Sequence, residues 1–94
     1  MKIVWSRIAL AEILAIRHYI AKDKPLAAAR VAARIRSSAN RLAFAAESGR
    51  SGRIPGTREL VIPGLPYILL YQIADKTIQI LSVLHGNQEW PEQL

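Results

Sequence analysis

The sequence predicts an α+β fold: an N-terminal strand, a helical hairpin, then a three-stranded antiparallel meander (β-α-α-β-β-β), in one domain spanning residues 1–94. Three observations predict it. The chain opens on a short run of branched and aromatic residues, Lys2 to Trp5. Two long segments then carry apolar residues at helical spacing, divided by Asp23-Lys24-Pro25. Three β-rich runs follow, separated by the turn signals Pro63-Gly64 and Ala74-Asp75-Lys76.

Each element has its own local reason. Ser6, directly after the first strand, is a good helix N-cap, and from Arg7 to Lys22 the residues Leu10, Ile13, Leu14, Ile16 and Ile20 recur on one side of a helix. Glu12 and Tyr19 fall on the other side. At 100° per residue that apolar arc covers roughly 160°, wider than the stripe of about 100° that one packing partner needs. The surplus, Leu10 and Leu14 beside Arg17, is either buried in a small core or a surface for a partner. Pro25 suits the first turn of a second helix, where its missing N–H costs nothing. That helix is expected to run to about Glu47, with Val31, Ile35 and Leu42 in one stripe, Ser38 inside it, and Arg30, Arg34 and Arg41 along one edge. Its many alanines predict close approach to a neighbouring helix or sheet.

Gly49, Gly52 and Gly56, with Pro55, predict a loop. Strands are expected over Thr57 to Ile62, Tyr67 to Ile73 and Thr77 to His85, and the short connections make them antiparallel neighbours. In the middle run Tyr67, Leu69, Tyr71 and Ile73 point one way and Ile68, Leu70 and Gln72 the other. A strand apolar on both sides is central and covered on both faces, or covered on one and open to a partner on the other. The tail from Gly86 to Leu94 has no strong period and one expected anchor, Trp90-Pro91.

Composition narrows the function classes. A formal charge of +6 predicts attraction to nucleic acid, an anionic surface or an acidic protein. The segment from Pro25 to Ala46 holds four arginines and no acidic residue, so it is either a solvated basic face or a surface for an acidic or phosphate-bearing partner. Absence of cysteine fits a reducing compartment and removes thiolate metal sites and disulfides. Arg7, Glu12 and Arg17 interrupt each apolar run near the N-terminus, so no secretory or membrane-spanning segment is expected, and the protein reads as soluble and cytoplasmic.

His18 and His85 stand far apart in sequence, so no metal or other cofactor is expected. The loop from Gly49 to Gly56 lacks a GKS/T ending, and the serines lack a nucleophile-elbow context. One constellation has catalytic chemistry: Arg50, Arg53, Arg58, Glu59 and His85. Arginines grip phosphates in pairs of bonds, and a histidine near neutral pKa moves a proton in metal-independent RNA cleavage. The bland alternative is ordinary surface arginines and a histidine bonded at a strand end.

The tryptophan ending the first strand, the second helix opening on proline, GRSGRIPGTRELVI, PYILLYQI and IQILSVLHGNQEWP together resemble the RelE/ParE superfamily of type II toxin–antitoxin toxins over nearly the full chain. The resemblance implies a helical hairpin packed on a twisted antiparallel sheet, and a cognate antitoxin whose C-terminal segment folds on the toxin. The antitoxin is expected to cross the hairpin against Leu10, Leu14, Arg17, Arg30 and Arg34. In RelE-like members the resemblance implies a ribosome-dependent messenger endonuclease, for which this chain offers Arg53, Arg58 and His85. Gly86 follows His85 where some ribonuclease members carry a tyrosine, and no lysine lies between Lys24 and Lys76. The text is more similar to the ParE branch, which implies a non-enzymatic poison of DNA gyrase with a ParD-like antitoxin. Its target contact is expected along Val83, His85, Gln88 and Trp90.

Overall fold

The computed structural model describes residues 1–88 and 90; the Pro91 half of the expected tail anchor lies outside them. The chain forms β1 (Lys2–Trp5), α1 (Arg7–Ala21), α2 (Pro25–Arg41), β2 (Arg50–Ser51), β3 (Arg58–Val61), β4 (Tyr67–Ala74) and β5 (Thr77–His85). The strands make one sheet in the order β1-β5-β4-β3-β2. β2, β3, β4 and β5 pair antiparallel in succession, and β1 joins β5 in parallel. The sheet is therefore mixed where the resemblance implied an antiparallel one. The reason is the path of the chain: β1 forms one edge, the helical hairpin carries the chain to the opposite edge, and the meander works back strand by strand until β5 lies beside β1.

The local signals act as their chemistry dictates. Ser6 Oγ accepts from the Ala9 N–H at 3.0 Å, capping α1, and donates to Leu81 O at 2.9 Å, which seats the helix start on β5. Pro63 and Gly64 close the β3–β4 turn, where Gly64 has φ 76° and Ile62 N–H donates to Tyr67 O at 3.0 Å. Asp75 and Lys76, at φ 52° and 60°, make the two-residue β4–β5 turn.

α2 ends at Arg41, short of the expected Glu47. The next amides, of Leu42, Ala43 and Phe44, bond three residues back, tightening the chain into turns that bring it across to the sheet edge. There it forms β2, a strand no residue signal predicts, since Arg50 and Ser51 are neither branched nor aromatic. Two residue pairs hold it: Arg50 opposite Glu59 and Ser51 opposite Arg58.

The core lies between the hairpin and one sheet face. Ala9, Ile13, Ala32, Ile35, Ala39 and Leu42 from the helical side meet Leu69, Tyr71, Ile78, Ile80 and Val83 from the sheet. Buried Ala28, Ala32 and Ala39 keep α2 close to its neighbours. β4 is central, and Ile68 and Leu70 on its other face are buried as well, so the strand is covered on both sides. The surplus arc of α1 is not buried: Leu10 is 47% and Leu14 64% exposed.

Candidate functional site

Three surfaces carry the chemistry, and the sheet register decides what belongs to each. On the face away from the helices, the buried carboxylate of Glu59 lies under the β2–β3 loop. It accepts from Arg50 Nη2 at 3.1 Å and from the Arg53 backbone N–H at 2.7 Å, with Arg53 Nε at 3.7 Å. Arg53 also places its guanidinium 4.0 Å over the Trp90 ring, a cation–π stack that brings the tail onto the same face. Glu59 thus has its oxygens engaged in fixing the loop.

Arg58 is turned to the helical face, opposite Tyr71, and donates to Gly49 O at 2.8 Å. His85 stands opposite Tyr67 at the other end of the sheet, the two rings edge-on with centroids 5.6 Å apart. Its Nδ1 accepts from Asn87 N–H, which leaves Nε2 as the donor of the neutral ring. The three residues named for RNA cleavage are not brought together. Arg53 lies on one face and Arg58 on the other, and His85 is displaced from Arg58 by about 13 Å along the strands and about 10 Å across them.

The second surface is a recess of about 370 Å³ between α1 and the far end of the sheet, lined by Glu12, Ile16, Tyr19, Tyr67, His85 and Gln88 among others. Glu12, read from sequence as an outward residue, accepts at Oε1 from Ser82 Oγ at 2.7 Å and from Val83 N–H at 3.0 Å. The expected target contact divides here. Val83 is a core residue, 3% exposed, and offers no side chain to a target. A bulge causes this correction: Leu70 pairs with Ser82 but Tyr71 pairs with Ile80, so Leu81 is extra and the alternation of β5 flips. His85 and Gln88 rim the recess, whereas Trp90 is half-buried on the opposite face.

The third surface is the outside of the hairpin. Leu10, Leu14 and Arg17 are exposed on the α1 flank opposite Glu12 and Tyr19. Arg30 and Arg34 are exposed on the flank of α2 turned to the β3–β4 turn, where Arg34 Nη1 donates to Pro63 O at 3.4 Å. The antitoxin set of the sequence is therefore two patches on successive helices, and a partner touching both has to cross α2. Missed by the sequence reading were the positions of Glu12 and Tyr67 in the recess, which depend on the bulge and on the angle of α1.

Among the described residues no three His, Asp or Glu side chains gather as metal ligands, and no helix is long and apolar enough to cross a membrane. The family described as the ParE toxin of the type II toxin–antitoxin system parDE matches residues 3–90. A Sinorhizobium fredii protein named as a candidate toxin, Y4kP, is 47% identical over 99% of this chain and 96% of its own length. Toxin RelE2 of Caulobacter vibrioides is 38% identical over 90% of this chain and 94% of its own. Among solved structures, a chain of the chromosomal ParDE toxin–antitoxin system from P. aeruginosa matches with a TM-score of 0.81 and 28% identity, over 90% of this chain and 95% of that one. The protein belongs to the ParE toxin family of type II toxin–antitoxin systems, within the RelE/ParE superfamily.

Proposed function

We propose that this toxin arrests growth by binding and poisoning DNA gyrase in the cytoplasm, and that a ParD-like antitoxin neutralises it. Family membership along residues 3–90 carries the reading. The site geometry supports it, because Arg53 is engaged by Glu59 and Trp90 on the face away from the helices, while Arg58, engaged by the Gly49 carbonyl, is displaced from His85 along and across the strands. On this reading the protein is not itself an enzyme. Its target contact is the end of β5, with His85 and Gln88 at the rim of the recess and Trp90 held on the far face by Arg53. The antitoxin lays apolar residues on Leu10 and Leu14 beside Arg17, crosses α2, and meets Arg30 and Arg34 with acidic side chains.

A supercoiling assay tests this. Purified gyrase with excess toxin is expected to lose supercoiling activity and accumulate cleaved DNA; unaffected gyrase sinks the reading. A second reading, ribosome-dependent messenger cleavage, is favoured by one observation, the likeness to a relative named RelE2. Cut messenger on translating ribosomes, abolished by His85→Ala, would establish it.

A further inference from the structure

One flank of α2 has a feature that an antitoxin contact at Arg30 and Arg34 does not use up. At 100° per residue Arg30, Arg34, Ser37 and Arg41 fall within an arc of roughly 60°, and at 1.5 Å per residue they extend over about 16.5 Å. All four are exposed. Among the described residues none of the three arginines is in an ion pair, and the segment from Pro25 to Ala46 contains no carboxylate to neutralise them.

Part of the stripe is built in place. Arg34 rests against the β3–β4 turn, bonded to Pro63 O, and with Ser37, Arg41, Pro63 and Gly64 it lines an open recess. Gly64 permits this in two ways. Its φ of 76° is a conformation that side chains disfavour, and a Cβ there would stand 3.0 Å from Arg34 Nη1. Arg41 reaches back to Ser38 Oγ at 3.4 Å, which leaves its remaining donors free.

We propose that this stripe is a phosphate-backbone site for duplex DNA in the free toxin. Leu26 and Val61 stand at its two ends and half-buried Val31 and Leu65 beside Arg30 and Arg34, but its own four positions carry no apolar anchor, and a docked helix needs one every three or four residues. Guanidinium groups one and two helical turns apart suit a run of phosphates, and the Ser37 hydroxyl between them donates to Arg34 O. The phosphate chemistry comes from the surface itself; the choice of duplex DNA rests on the gyrase reading, since gyrase holds a DNA duplex.

Fluorescence anisotropy of the whole toxin on a labelled duplex, titrated between 50 and 200 mM salt, tests the proposal. Three phosphate contacts predict a loss of affinity of about 40-fold over that range, and Arg34→Gln about 12-fold, its log–log slope shallower by about 0.9. Arg36→Gln removes the same charge from nearly the opposite side of α2 and is expected to keep the wild-type slope. Equal effects of the two variants would mean diffuse attraction to a +6 protein and would overturn the site. So would tighter binding to duplex RNA, no binding at 50 mM salt, or Arg34→Gln and Arg41→Gln variants that bind DNA as wild type does but lose antitoxin affinity. The supercoiling assay separates the two readings. Gyrase inhibited equally by wild type and Arg34→Gln leaves the gyrase reading standing without the site, and Arg34-dependent DNA binding without gyrase inhibition does the reverse.

Discussion

The Tyr71 hydroxyl donates to Ala46 O at 2.7 Å and accepts from Gly49 N–H at 3.0 Å, so one buried side chain ties the segment after α2 to the middle of the sheet. Tyr71→Phe is expected to cost about 1–3 kcal/mol, because the Gly49 amide loses its partner in a buried place. Chemical denaturation at neutral pH measures this. Burial raises the Tyr71 pKa above 10.0, opposed by the Gly49 amide and by Arg58. The folded protein therefore holds this proton more tightly than the unfolded chain. The corresponding stability is fully present below pH 10 and is lost as pH rises through the folded value. Melting curves from pH 8 to 11 are expected to fall less steeply above pH 10 in Tyr71→Phe. Gly49 has its own part here, since a Cβ would stand 2.6 Å from the hydroxyl. Of these relations the sequence shows an inward tyrosine and a loop glycine. It does not show that they meet, because that depends on where α2 stops. Glu59 was likewise legible as a member of a charged cluster; its bonds to Arg50 and the Arg53 amide follow from β2, for which no residue signal exists.

At the scale of elements, β5 is longer than its parallel neighbour. β1 pairs with Thr77 to Ile80 and Ser6 takes the carbonyls of Ile80 and Leu81, so the outer edge of β5 has no strand beside it from Ser82 onward. Glu12 closes it from α1, its carboxylate taking the Val83 N–H and the Ser82 hydroxyl in place of another strand. Glu12→Ala is expected to cost about 1–3 kcal/mol. Hydrogen exchange offers a sharper check: the Val83 amide should exchange faster while those of Ile78 and Ile80 keep their protection, and Glu12→Gln should restore most of it. The elements themselves were readable. β1 and β5 match their expected bounds, and α1 and β4 differ by one residue at the C-terminal end. Periodicity, a capping serine and turn pairs are local signals and suffice for that. The bulge at Leu81 is set by the pairing of β5 with β4, and it moved Val83 from the expected target surface into the core.

For the molecule as a whole, the exposed leucines of α1 are the feature most directly open to test through a partner. Leu14→Glu is expected to weaken antitoxin affinity at least tenfold, because it places a charge where an apolar contact is proposed, while the melting temperature stays near wild type at a side chain 64% exposed. Calorimetric titration with the cognate antitoxin measures it, and an unchanged affinity would move the interface elsewhere. The sequence showed an arc wider than one packing partner needs and left its surplus either buried or open to a partner; the structure leaves Leu10 and Leu14 exposed. Arg30 and Arg34 were legible as one edge of the second helix's stripe; that this edge is the one turned to the β3–β4 turn follows from the packing of the hairpin. The parallel pairing of β1 with β5 also bears on the order of assembly. Lys2 to Trp5 is synthesised well before its ladder partner, Thr77 to Ile80, so the β1–β5 pairing cannot form until β5 has been made. Until β5 emerges, α1 lacks the strand it rests on and the nascent chain exposes the apolar face of its hairpin. The recess proposed to meet gyrase therefore takes shape only after β5 has emerged, whereas the arginine stripe of α2 contains no residue of that strand.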